Sequence, residues 1–136
     1  MMSKIGGGSA KGVVDAAVRR AAELHVAATI AVVDDGGHLK MLLRMDNAIL
    51  GSIDIAQKKA KASAYFGLNS EVLGQTSQPG GPFYGVENSN GGIITFSGGV
   101  PLKNGAGEVR GAIGVSGGQA EQDAAIAQAG AAAFLE

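Results

Sequence analysis

The chain has 136 residues, a formal net charge of -1 and no cysteine. That length supports one domain over 1–136 with its own core, and the missing cysteines exclude disulfides, iron–sulfur clusters and thiolate zinc sites. Scattered charge without a basic stripe argues against nucleic acid, and no apolar run reaches membrane length.

The first residues, Met1-Met2-Ser3-Lys4, run into glycines and not into an apolar leader, so the expected location is cytoplasmic. With 23 glycines, 4% aromatic residues and no tryptophan, the core must be built from small aliphatic side chains and closely packed backbone. Ser9 is a plausible N-cap for a first helix that ends near Leu24, with Val13, Ala17, Ala21 and Leu24 on one face. The glycines before it lack the spacing of a phosphate loop.

Residues 26–33 read as a buried strand, Asp34-Asp35-Gly36-Gly37 as a hairpin turn and 38–45 as the returning strand. Ser52 is placed to cap a second helix over 53–66, with a narrow small-residue face of Ala56, Ala60, Ser63 and Ala64. Lys58, Lys59 and Lys61 in its C-terminal half suit the helix dipole, and Gly67 ends it. A short helix over 71–76 follows, then an irregular loop over 78–92 that carries Phe83 and Tyr84. So long a loop in a small domain suggests a lid or an interface patch. Strands are expected over 93–96 and 100–103, with a turn at Asn104-Gly105-Ala106-Gly107.

The last segment joins two periods. Val109 to Val115 is β-branched at Val109, Ile113 and Val115, with Gly111 and Gly114 admitting another backbone. After Ser116-Gly117-Gly118 it becomes an alanine-rich helix over 119–134, with Glu121 and Asp123 in the first turn. Ser116 or one of the glycines is placed to cap that helix, and its unpaired N–H groups would accept a carboxylate or phosphate. Hairpin links and helices in this order give an α+β fold with a largely antiparallel sheet.

Ile30-Ala31-Val32-Val33-Asp34-Asp35-Gly36-Gly37, the helix Ser52-Ile53-Asp54-Ile55-Ala56-Gln57-Lys58-Lys59-Ala60 and the run from Gly111 to Gly118 followed by Glu121-Gln122-Asp123 resemble the GlcG/HbpS family. That family includes the C-terminal domain of PduO-type proteins, and the likeness runs in order over about residues 10–135. The resemblance implies a profilin-like α/β/α sandwich with a five-stranded antiparallel sheet. It also implies a homo-oligomer (a dimer or higher, up to an octamer), haem in some members, and accessory roles in catabolic operons for others.

His25 lies where the first helix meets the first strand, at about the place where PduO-type domains are associated with haem ligation. An imidazole there could bind haem iron; as a plain helix C-cap it would complement the dipole. The cofactor-binding set expected with it is Phe83, Tyr84, Ser116, Gly117 and Gly118. The other chemistry is an acid-handling set, in which Arg44 holds a carboxylate and Asp46 or Glu87 acts as acid or base. Lys58–Glu87 and Arg44–Asp46 salt bridges are the structural alternative. Three functions follow from these sets: a small-molecule binding protein for haem or a related tetrapyrrole, an enzyme or accessory factor for a small hydroxy or oxo acid, and a ligand-free structural oligomer.

Overall fold

A computed structural model describes residues 5–135; the start of the chain, on which the absence of a leader was read, lies outside them. The first helix, α1, is Gly7–Glu23. It starts two residues before Ser9, because Gly6 takes the N-cap position and the Ser9 hydroxyl donates to the Leu135 carbonyl. Glycine is a poor helix former, but Ile5 and Ala10 are buried on either side of the glycine run, and this packing outweighs propensity.

Strands β1 (Thr29–Asp34) and β2 (Leu39–Arg44) form the expected hairpin. Asp34 Oδ1 accepts from the backbone N–H groups of Gly36 and His38 and so shapes the turn locally. Helices α2 (Ser52–Phe66) and α3 (Ser70–Thr76) follow, then strands β3 (Gly99–Lys103) and β4 (Val109–Ser116) and the last helix, α4 (Ala120–Ala132). Ser52 is the first residue of α2 and not its cap; its buried hydroxyl meets Thr29 Oγ1 at 2.8 Å and the Ile49 carbonyl at 2.5 Å, tying α2 to β1.

The sheet is antiparallel with order β2-β1-β4-β3. Among the described residues it has four strands and not five. Residues 93–96 form no ladder; the first two amides are used elsewhere, Ile93 N donating to the Glu87 carbonyl and Ile94 N to the Lys58 carbonyl.

Alternation on β1 and β4 sorts the two faces. Ile30, Val32, Ile113 and Val115 join α1 and α4 in the main core through Val13, Ala17, Ile126 and Ala127. Val33 and Ala112 point the other way, against Ala60 of α2. Each fully buried Ile or Val contributes about 1.5–3 kcal/mol. No helix among the described residues is long and apolar enough to cross a membrane.

Candidate functional site

Two pockets flank the β4–α4 junction and share Gly118. The first is built where α1 ends. Leu24 caps the helix, and His25 follows with φ +57°, a left-handed conformation that turns its side chain out of the helix path. His25 N still donates to the Ala22 carbonyl at 3.1 Å, and Val26 N to the Ala21 carbonyl at 2.9 Å, so the turn is held while the imidazole stays exposed.

Opposite stands Gly117, where the chain leaving β4 passes so close to the Ala27 carbonyl and Ala28 Cα that a Cβ has no room. Its φ of +147° reinforces the need for glycine. The pocket between them measures about 320 Å³ and includes His25, Asn47, Ile49, Gly117, Gly118 and Gln119 in its lining. Its polar groups are amides and one imidazole, with no carboxylate or cation on the wall. Fold and sequence thus place His25, Gly117 and Gly118 around one opening, although they are remote in the chain.

The expected anion site at the start of α4 is filled by the chain itself. Gly118 N donates to Asp123 Oδ1 at 2.8 Å, and Gln119 N to Gln122 Oε1 at 2.9 Å. Gln119 is the N-cap and forms a capping box with Gln122, so neither Ser116 nor a glycine caps the helix. Ser116 is instead the buried last residue of β4 and lines the second pocket.

That second pocket, about 310 Å³, has a buried ion pair on its wall. Lys59 Nζ lies 2.8 Å from the Val115 carbonyl and 3.2 Å from Asp123 Oδ2, with the side chains only 3% and 5% exposed. Burial lowers the Lys59 ammonium below its usual range, with Asp123 opposing that shift in part. Burial likewise raises the Asp123 carboxyl, against the Gly118 N–H and the Lys59 charge.

The sequence places Lys59 only as one of three lysines that suit the dipole of its helix, and Asp123 only as an acid in the first turn of the last helix. The missed signal is the helical period. Lys59 stands three residues after Ala56 and four before Ser63, inside the small-residue face that α2 buries.

The other predicted residues lie away from both pockets. Arg44 and Asp46 are exposed at and beyond the end of β2 and line neither. Lys58 pairs with Asp54 at 2.9 Å and not with Glu87. Phe83 and Tyr84 are 57% and 69% exposed and also line neither pocket. Their loop is a succession of turns, with Gly81 N to the Gln78 carbonyl, Phe83 N to the Thr76 carbonyl and Val86 N to the Phe83 carbonyl. A small cluster of Ala62, Leu73, Ile93 and Val86 anchors it.

Glu87 is the loop's fastener. Its Oε2 accepts from the hydroxyls of Ser77 at 2.8 Å and Thr95 at 3.0 Å. Its own backbone N–H first, then Ser77, hold the carboxyl below its ordinary 4.5. Such a group contributes stability above its unfolded value and loses it as pH falls through the lower folded value. Acidification is therefore expected to lower the hydrogen-exchange protection factors of the 78–92 loop, measured against the intrinsic exchange rate at each pH. In Glu87→Gln those protection factors should already be low at neutral pH and should change little with acid. A loop whose exchange in the native protein shows no structural response to acid would remove this role.

The class defined by these features is an α+β domain in which helices cover an antiparallel sheet and two small pockets meet at a strand–helix junction. The chain belongs to the HbpS-like family: the model for haem degrading protein HbpS-like matches residues 8–132. An uncharacterized 15.0 kDa protein in the dhaT-dhaS intergenic region of Citrobacter freundii is 36% identical over 130 residues, which covers 94% of this chain and 90% of that protein. Among solved structures, Klebsiella pneumoniae protein ORFY superposes with a TM-score of 0.93 at 35% identity, covering 98% of this chain and 92% of its own. A PduOC:haem complex superposes with a TM-score of 0.89 at 35% identity, covering 96% and 94%.

Proposed function

We propose that this protein binds haem or a related tetrapyrrole at the first pocket, with His25 as the iron ligand. The observation that carries the reading is the exposed imidazole at the pocket rim, held there by a left-handed residue at the end of α1. The donor chemistry fits, since a neutral imidazole is a common axial ligand and nothing anionic on the wall competes for the metal. The solved haem complex of a domain 35% identical to this one supports the same ligand. Bound haem would supply a redox-active iron.

The pocket's size shapes the rest of the proposal. About 320 Å³ is near the lower end for a ligand site, and a tetrapyrrole overhangs it. Ile49, in its lining, and Leu50, next in the chain, are 66% and 73% exposed. A second copy of the chain would cover the open face and those side chains together, so the binding form is a homo-oligomer.

A haemin titration followed in the Soret region tests the proposal. The wild type should give a saturable, red-shifted band. His25→Asn tolerates the left-handed backbone and removes the imidazole, so the fold should survive while affinity falls at least about tenfold. A titration unchanged in His25→Asn removes His25 as the ligand, and no saturable band in the wild type removes haem.

A further inference from the structure

Lys59 has no part in the haem reading. Its side chain is 3% exposed, its ammonium is held by the Val115 carbonyl and Asp123, and it borders a pocket of its own. A buried lysine is costly unless it is paired, and a structural pair is better placed beneath full packing than beside a void. This pair instead faces about 310 Å³ of open space walled by Ile55, Phe96 and Ala120, with the hydroxyl residues Ser97 and Ser116 alongside.

We propose that the second pocket is a site for a small neutral aldehyde or ketone, which condenses with Lys59 Nζ to form an imine. The pair selects the class. Asp123 already neutralises Lys59, so no cationic excess remains for a carboxylate or phosphate, and the apolar walls favour an uncharged molecule. The 3.2 Å contact places a proton acceptor directly on the amine.

Transfer of a proton from Nζ to Asp123 Oδ2 frees the nitrogen lone pair. That pair forms the C–N bond to the carbonyl carbon while the C=O π pair moves to oxygen. Asp123 relays two protons from nitrogen to that oxygen, which leaves as water as the C=N bond forms. Ammonium and carbonyl thus give a protonated imine and one water, with no redox change and no further reactant. The opposed shifts of the two groups, both caused by burial, ease the first proton transfer.

Reductive trapping tests the inference without any assumption about haem. The protein is incubated with propanal and cyanoborohydride, and labelled lysines are mapped by peptide mass spectrometry. Lys59 should acquire the propyl group ahead of the more exposed Lys11, Lys58 and Lys103. Asp123→Asn should slow labelling of Lys59 at least about a hundredfold and leave the surface lysines unchanged. Ile55→Trp, from a half-buried position on α2, should fill the pocket and block Lys59 while leaving the ion pair intact. This second variant decides the matter if Asp123→Asn folds poorly. Lys59 remaining unlabelled in the wild type, labelling no faster than the surface lysines, or labelling equally in Ile55→Trp would overturn the proposal. Failure of the haemin titration would leave it untouched.

Discussion

Lys59→Met is expected to cost about 3–5 kcal/mol of folding stability, because it strands a buried carboxylate. Asp123 is 5% exposed at its side chain and its Oδ1 already accepts from Gly118 N, so a water entering from the pocket would replace the hydrogen bond at Oδ2 but not the charge of the ammonium. Urea unfolding should show a lower midpoint with an unchanged slope. The loss should also depend on pH with a definite sign. Burial raises the Asp123 carboxyl above its ordinary 3.8, and removing the ammonium raises it further. A raised carboxyl contributes stability that is present below its unfolded value and lost as pH rises through the folded one. The deficit of Lys59→Met should therefore be smaller at about pH 5 than at about pH 8. Replacing Asp123 with leucine in the same chain should restore part of the loss, since two apolar groups leave no stranded charge. The recovery stays incomplete because Gly118 N loses its acceptor. Equal deficits in acid and base would mean that Asp123 is hydrated and the pair is not a buried one.

The local elements were legible because their causes are local. Asp34 shapes its own turn, the β-branched residues of β4 alternate over a few positions, and Gly67 closes α2 where the sequence placed it. The fold class followed from those elements in order. The segment over 93–96 misled because β propensity describes a side chain and not a ladder partner; the Ile93 amide goes back to Glu87 in the preceding loop and the Ile94 amide to Lys58 on α2. The capping of α4 misled for a related reason. Ser116 is a good cap in isolation, but β4 extends to include it, and the helix starts later at Gln119 and Ala120.

The candidate site was half legible. His25 and the glycines of the β4–α4 junction were singled out separately, and the fold gathers them at one pocket. Arg44 and Glu87 were singled out by their charge, and the Phe83-Tyr84 pair by its aromatic rings in a long loop, and neither signal says where the chain brings a residue. Lys59 was hidden among three lysines of one helix turn. Only the burial of one helix face separates it from Lys58, which stays with Asp54 at the surface.

Gly114→Ala should be the most damaging single-methyl change in the sheet. On β4, Gly114 pairs with Ala31 on one side and Gly99 on the other, so three small residues form a flat row across the sheet. The α2 backbone rests on that row. A Cβ at Gly114 would run into the Ala56 carbonyl and the Ala60 amide nitrogen, and one at Gly99 would meet the Lys59 carbonyl and Ser63 Oγ. Because the obstruction at Gly114 is backbone, trimming Ala56 or Ala60 to glycine gives no relief; α2 has to lift as a body. Overpacking of this kind costs about 1–3 kcal/mol, and more when a whole helix must shift. Gly114→Ala should therefore lower the urea midpoint well below wild type, and Gly114→Val should fail to give folded protein. Gly105→Ala is the control, since a Cβ there meets nothing within 4 Å. The same displacement has a functional reading, because α2 carries Lys59 and the second pocket lies between α2 and the start of α4. Gly114→Ala should lose preferential labelling of Lys59 by propanal while its exposed lysines react as before. A Gly114→Ala protein as stable as wild type would mean that α2 is not seated on β4 through backbone contact, and the packing of this face would have to be redrawn.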